Sequence, residues 1–171
     1  MAKIISSEID SLLEQTSRSF FLTLKVLPAK IRGQIGLLYL LARLADTIAD
    51  SASGDTNQLI DNIREYNEYA QGNRDDPPNL GDLAQLQTNP DEAKLLEKVS
   101  EVVSSLERFS DADQKIIRQC LDTIVSGQTL DLQRFGNVEK STITPLSDDN
   151  ELDNYTYRVA GCVGEFWTQM S

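Results

Sequence analysis

One segment of the chain is so apolar that it restricts the whole fold. It covers residues 35–51 and reads IGLLYLLARLADTIADS. The segment is rich in Leu, Ala and Ile, contains no Pro and has no Gly after Gly36, so an α-helix is predicted. A helix that is apolar on nearly every side is typical of a buried helix. Other elements must therefore pack around this segment.

The few polar residues of this helix fall on one side. At about 100° per residue, four of them lie within roughly 60° of arc. We call them the polar stripe: Tyr39, Arg43, Asp46 and Asp50. Buried carboxylates and guanidinium groups are costly unless they are paired or bind a metal ion. The polar stripe must therefore face either an internal ion-pair network or a cavity that holds cations and an anionic ligand.

The two aspartates of the polar stripe lie one helical turn apart, so both carboxylates share one helix face. Mg²⁺ typically binds one or two carboxylates together with substrate phosphates and water. Asp46 and Asp50 are therefore candidate magnesium ligands. The alternative is an ion-pair ladder of Arg43, Asp46 and Asp50 on a solvated face, which the apolar surroundings disfavour.

Composition excludes several function classes. The net charge of −11 at pH 7 and the sequence pI of about 4.4 argue against nucleic-acid binding, which needs a basic surface. The chain has no histidine, so His-based catalytic triads and zinc–His sites are excluded. Cys120 and Cys162 are predicted to be buried free thiols of a reducing compartment. No signal-peptide pattern or membrane span is recognisable, so we expect a cytoplasmic protein.

Helical periodicity recurs along the chain without strand-like alternation of useful length, which predicts an all-α helical bundle. Helices are expected at residues 1–15, 21–27, 28–51, 55–71, 90–109, 111–135 and 146–171. Gly33 and Gly36 would allow a break in the third of these helices. Segments 72–90 and 136–147 are expected to be loops, the first with a helical turn near Leu83. The last helix ends without a stop signal, so the chain is expected to be truncated.

Two further segments have the residue types of a binding site. Ser17-Arg18-Ser19 places two hydroxyls and a guanidinium before a helical run, where they could bind an anion or simply cap the helix. Asp131 lies among apolar neighbours in a predicted helix. It is either a structural hydrogen-bond partner, the preferred interpretation, or a second cavity carboxylate.

A third segment, YTYRVAGCVGE at residues 155–165, carries glycines inside a predicted helix. Each such glycine costs about 1 kcal/mol relative to alanine, so a compensating interaction is expected. Gly161 and Gly164 would allow close approach of another helix or of a bulky ligand. Tyr155 is then either a core tyrosine or a cavity hydroxyl near the ligand.

Several short motifs follow one another from about position 15 to the end of the chain. They are Ser17-Arg18-Ser19-Phe20, Leu27-Pro28, Tyr39-x-x-x-Arg43-x-x-Asp46-Thr47-x-x-Asp50, Gly127-x-x-x-Asp131-Leu132 and Tyr155-x-Tyr157-x-Val159-Ala160-Gly161-x-Val163-Gly164. As an ordered set they resemble the squalene/phytoene synthase family of head-to-head prenyl transferases, because independent chance matches rarely occur together. The pair Asp46-Thr47 looks more like squalene synthase, since phytoene synthases usually carry paired aspartates there.

The resemblance implies an all-α isoprenoid synthase fold around a central apolar cavity. Residues 1–171 would be the N-terminal portion of that single domain, because the family's second aspartate-rich motif is absent from this sequence. It also implies a transferase that condenses two farnesyl diphosphates through presqualene diphosphate to squalene, with Mg²⁺ assisting diphosphate departure and NADPH completing squalene. Because the chain carries only one wall of the active site, it is expected to be inactive by itself.

The sequence also allows alternatives to squalene synthesis. The product could be phytoene or dehydrosqualene, because product choice depends on cavity depth and access of reductant. An alternative of another class is a non-catalytic helical assembly factor that keeps the fold. Because the product would be apolar, peripheral contact with a membrane is also left open for this cytoplasmic protein.

The resemblance further implies a role for individual residues. The metal ligands would be Asp46 and Asp50, and the diphosphate ligands would be Ser17, Arg18, Ser19 and Arg43. The catalytic residues would be Tyr39, Arg43 and Tyr155, with the tyrosines as proton acceptors or as cation-stabilising faces. The prenyl cavity would be shaped by Phe20, Leu24, Val159, Val163 and Gly164. Two positions depart from the pattern: Ala49 replaces a commonly acidic residue, and Gln128 replaces the usual methionine.

Overall fold

The structure is a computed structural model that describes residues 5–17, 19–52, 55–136 and 145–171. Within these ranges the chain forms helices and no β-strand, which confirms the all-α prediction. The α-helices are α1 (Ser7–Ser17), α2 (Ser19–Val26), α3 (Ala29–Ala49), α4 (Thr56–Gln71), α5 (Gly81–Leu86), α6 (Pro90–Glu97), α7 (Val99–Ser104), α8 (Asp111–Phe135), α9 (Asp149–Thr156) and α10 (Cys162–Met170). A 3₁₀ helix (Ser105–Arg108) follows α7, and a π-helical turn (Tyr157–Gly161) joins α9 to α10.

Helix α3 is the centre of the fold, as its apolar sequence predicts. It packs against α1, α2, α4, α6, α7, α8 and α10. Its fully buried side chains include Leu37, Leu40, Leu41, Leu44 and Ile48. The helix runs unbroken through Gly33 and Gly36, so a break at these glycines is excluded. Packing on most sides outweighs the cost of about 1 kcal/mol for each glycine.

Helix ends follow local capping signals. The Ser110 hydroxyl accepts a hydrogen bond of 3.2 Å from the N–H of Asp113 at the start of α8. The Asp55 carboxylate accepts one of 2.9 Å from the N–H of Asn57 at the start of α4. Gly72 caps the C-terminal end of α4, and its φ of +81° lies in the left-handed region that favours glycine.

Two helices predicted to be continuous are divided. The segment 90–109 forms α6, α7 and the 3₁₀ helix, because Lys98 leaves helical geometry with φ −100° and ψ 19°. The segment 146–171 forms α9, the π-helical turn and α10. The predicted continuity was wrong in both places, since apolar periodicity does not distinguish an α-helical turn from a 3₁₀ or π turn. None of the described helices is long and apolar enough to cross a membrane.

The two cysteines are free and buried, as predicted, and lie where α8 meets α10. The Cys120 thiol lies 3.7 Å from the carbonyl oxygen of Cys162. Burial raises the pKa of Cys120 to about 12 and also raises the pKa of Cys162.

We therefore expect neither thiol to react with a disulfide reagent at about pH 8 in the native chain, because the thiolate is the reacting form. Both should react within the mixing time once the chain is unfolded in denaturant. Time courses of thiol labelling with and without denaturant measure this. Rapid labelling of the native chain would show that α10 opens away from α8.

Candidate functional site

The polar stripe of α3 borders a cleft between α3 and α8, which we call the α3–α8 cleft. Its volume is about 380 Å³. Polar groups come from Asp46 of α3 and from Asp50, which directly follows α3, and Gln128 and Asp131 contribute them from α8. The remaining lining residues are mostly apolar: Ala49, Ile124, Leu132, Phe135, Gly136 and Val159. Carboxylates therefore stand beside an apolar surface, so a cation held by the carboxylates would bring an anionic head group next to a wall that suits an apolar tail.

Asp46 is the better buried of the two stripe aspartates, and Asp50 is exposed. Asp46 Oδ1 accepts a hydrogen bond from the side-chain amide of Gln128 across the cleft. Burial raises the pKa of Asp46, while the nearby Arg43 guanidinium lowers it and Asp50 raises it. Keeping the Asp46 carboxylate charged therefore costs free energy, and a cation in the cleft would offset this cost.

The residues present fit a hard divalent cation. In the described part of the chain, no three side chains of His, Cys, Asp or Glu lie close enough together to hold a metal ion by themselves. Asp46 and Asp50 provide the one or two carboxylates that Mg²⁺ takes when phosphate oxygens and water complete its shell. The cleft therefore matches a cation bound jointly with a phosphorylated ligand.

Arg43 pairs with Glu92 of α6 rather than with the stripe aspartates. The ladder of Arg43, Asp46 and Asp50 is therefore not the arrangement of this site. A second, smaller cleft of about 200 Å³ lies on this side of α3 and is lined by Arg43, Asp50 and Glu92, among others. Arg43 thus reaches a polar cleft next to the aspartates, where it can contact an anionic ligand.

Three buried polar atoms around these clefts lack a hydrogen-bond partner among the described residues: Arg43 Nε, Gln128 Oε1 and Asp131 Oδ1. Buried polar atoms are nearly always paired in folded proteins, so such a group marks a place for water or a ligand. Burial raises the pKa of Asp131, and Arg134 lowers it. The free oxygen of Asp131 favours the interpretation as a second cavity carboxylate over the structural role preferred from sequence.

Tyr39 is held at the start of the polar stripe by two contacts. Its ring stacks on Phe20 with 4.6 Å between the ring centroids and 25° between the planes. Its hydroxyl donates to the carbonyl oxygen of Thr16 at 3.4 Å. Burial raises the pKa of Tyr39, so the phenol stays protonated at neutral pH. These contacts bring the α1–α2 junction to the Tyr39 end of the stripe.

The predicted diphosphate ligands at that junction differ in their surroundings. Ser17 is buried, and its hydroxyl donates to the carbonyl oxygen of Leu13 in its own helix rather than capping α2. Ser19 is exposed at the start of α2. Arg18 lies outside the described residues. The diphosphate role of this segment therefore stays a prediction.

The predicted prenyl-cavity residues do not gather in one place. Val159 lines the α3–α8 cleft and is 44% exposed. Leu24 is fully buried in the core, and Phe20 packs on Tyr39. Val163 packs partly against the core, whereas Gly164 is exposed and has open space where a side chain would project.

Tyr155 is half-buried in α9 and is not among the lining residues of the α3–α8 cleft. The sequence predicted close approach of another element at Gly161 and Gly164, and the structure shows it at Gly127. A side chain at Gly127 would come within 3.0 Å of Cβ of Arg158. Helix α8 is thereby packed tightly against the π-helical turn, which carries Val159 to the cleft.

Sequence reasoning missed Glu92 and underrated Gln128 and Asp131. Glu92 lies 49 positions from Arg43, and nothing in the sequence links the two. Gln128 and Asp131 are three residues apart on one helix, so their spacing signalled a shared face. Only their position opposite Asp46 makes that face part of the site.

The chain is similar to known proteins in sequence and in fold. The sequence profile of the squalene/phytoene synthase family matches residues 13–171. A bifunctional lycopene cyclase/phytoene synthase of Phaeosphaeria nodorum is 24% identical over 160 residues, which make up 92% of this chain and 24% of that protein. The solved complex of a squalene synthase, TcSQS, with the ligand E5700 gives a TM-score of 0.70 at 23% identity, covering 95% of this chain and 43% of that chain. The chain thus spans less than half the length of these relatives.

Proposed function

Because this chain belongs to the squalene/phytoene synthase family and has its isoprenoid synthase fold, we propose that it provides the first aspartate motif and a diphosphate-binding wall for head-to-head prenyl transfer. The observation that carries the proposal is the α3–α8 cleft. There, Asp46 and Asp50 face Gln128 and Asp131, and buried polar atoms on the wall lack protein partners in the described part of the chain. In the proposed assignment, residues 1–171 are the N-terminal portion of one domain.

In this proposal Asp46 and Asp50 hold Mg²⁺, and Arg43 binds diphosphate oxygens. A bound Mg²⁺ neutralises negative charge on the departing diphosphate. The Nε–H group of Arg43 is buried and lacks an acceptor among the described residues, so it can donate to an anionic oxygen while Glu92 orients the guanidinium. Ser17, Arg18 and Ser19 would extend the anion site from the Tyr39 end of the stripe.

The remaining residues protect and direct the carbocation. When the allylic C–O bond breaks, the electron pair leaves with diphosphate, and the carbon centre must be attacked by the double bond of the second substrate before water reaches it. Ile124, Leu132 and Phe135 give the cleft an apolar wall. Tyr39, held as a neutral phenol by Phe20 and its contact to Thr16, would offer a ring face or hydroxyl rather than a phenolate. Tyr155 is proposed for the same reaction centre.

The proposed reaction joins two farnesyl diphosphates to presqualene diphosphate and then squalene, with NADPH as the reductant of the last step. The second candidate is phytoene or dehydrosqualene synthesis, which the similarity to the Phaeosphaeria phytoene synthase favours. A non-catalytic assembly factor is disfavoured because unpartnered buried atoms such as Asp131 Oδ1 would destabilise a protein that binds no ligand. Extraction and chromatography of products, with and without NADPH, distinguish the two catalytic candidates.

Calorimetric titration of the chain with a non-hydrolysable farnesyl diphosphate analogue, with and without Mg²⁺, tests the proposal. We expect binding that requires Mg²⁺ and is lost in Asp46→Ala. The matched control is Asp61→Ala, which removes an exposed carboxylate paired with Arg64 on α4. Binding of the analogue that does not depend on Mg²⁺, or that is retained by Asp46→Ala, would contradict the metal assignment.

A further inference from the structure

Gln128 of α8 forms a direct hydrogen bond with the polar stripe. Its side-chain Nε2–H group donates a hydrogen bond to Asp46 Oδ1. The two residues are 82 positions apart, so the contact exists only because α8 packs against α3. One oxygen of Asp46 is therefore fixed by an amide group, which leaves the other oxygen for a different partner.

The second polar atom of the same amide has no such partner. Gln128 Oε1 is buried and accepts no hydrogen bond from the described residues. The resemblance to the family leads one to expect methionine here, which has a similar length and would fill this space without an orphaned oxygen. A glutamine that only filled space would therefore be less favourable than the expected residue.

The position of Gln128 Oε1 indicates which hydrogen-bond donor it can accept from. Gln128 and Asp131 lie one turn apart on α8, both line the α3–α8 cleft, and each has a buried oxygen without a described partner. Across the cleft are the carboxylates of Asp46 and Asp50. The cleft thus has oxygen acceptors on both walls, the chemistry that suits a hydrated divalent cation.

We propose that Gln128 is a positioning residue for a divalent cation in the α3–α8 cleft: its amide N–H group orients Asp46, and its carbonyl oxygen accepts a hydrogen bond from cation-bound water. The inference rests on the proposed function, since it takes Asp46 and Asp50 as the cation ligands. Hydrogen-bond partners of metal ligands typically contribute about 10- to 100-fold to metal affinity.

Two substitutions at this position separate the roles of the amide. Gln128→Met keeps the length and removes both donor and acceptor, so the affinity for Mn²⁺ should fall by about 10- to 100-fold. Gln128→Glu removes the donor but keeps acceptor oxygens and adds a negative charge. It should bind Mn²⁺ at least about tenfold more tightly than Gln128→Met, while being less stable without the cation because two carboxylates adjoin.

Titration with Mn²⁺ alone, followed by the electron paramagnetic resonance signal of the free ion, measures these affinities. Gln133→Met, an exposed glutamine on the same helix, serves as the matched control and should equal the wild type. Thermal unfolding without the cation establishes that each variant is folded.

The outcomes test the role of Gln128 and the cation assignment of Asp46 and Asp50 separately. Two results together support the role of Gln128. The wild type should bind Mn²⁺ more tightly than Gln128→Met, and Gln128→Glu should also bind Mn²⁺ more tightly than Gln128→Met. Equal affinities for the wild type and both variants would overturn that role and leave Asp46 and Asp50 as cation ligands. Mn²⁺ binding by Asp46→Ala with the affinity of the wild type would overturn the cation assignment of the proposed function and this inference with it.

Discussion

Replacing Asp46 by asparagine is expected to lower the rate of Mg²⁺-dependent diphosphate release in the complete enzyme by about 10²–10³-fold while making the fold more stable. Asparagine keeps an oxygen that Gln128 can bond, but it lacks the charge that holds the cation. Loss of one preorganised group that stabilises developing charge typically lowers the rate by about 10²–10³-fold. Turnover measured with Mg²⁺ checks this part, and unchanged turnover would remove Asp46 from the metal site.

The gain in stability follows from the direction of the pKa shift. Burial raises the pKa of Asp46 in the folded state above its unfolded value, although Arg43 and Gln128 oppose the shift. The stability contribution of such a group is fully present below its unfolded pKa and is lost as the pH rises through its folded pKa. At neutral pH the wild type therefore carries a cost that Asp46→Asn removes.

Thermal unfolding at neutral and at acidic pH measures this difference. We expect Asp46→Asn to have a higher Tm than the wild type at neutral pH, because the variant does not carry the buried charge. The advantage should shrink towards acidic pH, where the wild-type carboxylate becomes protonated. Asp153→Asn, at an exposed position in α9, is the matched control and should change neither turnover nor Tm. A lower Tm for Asp46→Asn would instead assign Asp46 a structural role.

Leu44→Ala is expected to have the largest effect on stability. Leu44 is 0% exposed in α3, the helix on which most of the others pack. Removing a buried leucine side chain typically costs about 2–5 kcal/mol, because transfer free energy is lost and a cavity remains. Since domains are stable by only about 5–15 kcal/mol, this single change should remove a large part of the stability.

Urea unfolding of Leu44→Ala and Leu22→Ala measures the contrast between a buried and an exposed leucine. Leu22 lies on α2 and is 64% exposed, so its replacement should change the free energy of unfolding by no more than about 0.5 kcal/mol. Similar losses for the two variants would mean that α3 is not the buried centre of the fold in solution.

Helix positions were predicted best where local signals are strong. Helix α8 has the predicted bounds 111–135, with Ser110 as its cap, because the capping serine and the apolar period both act within a few residues. The burial of α3 followed from its composition alone. The π-helical turn (Tyr157–Gly161) was missed, since one extra residue per turn leaves almost no trace in apolar spacing.

The same distinction between local signals and tertiary packing applies to the candidate functional site. The sequence by itself determined the polar stripe, because residues of one helix have relative directions fixed by the helical period, so Tyr39, Arg43, Asp46 and Asp50 had to share a face. Only the tertiary structure decided what that face meets: Gln128 for Asp46, and Glu92 for Arg43. Those partners lie on other helices, and their distances depend on how apolar faces pack, which no local spacing encodes.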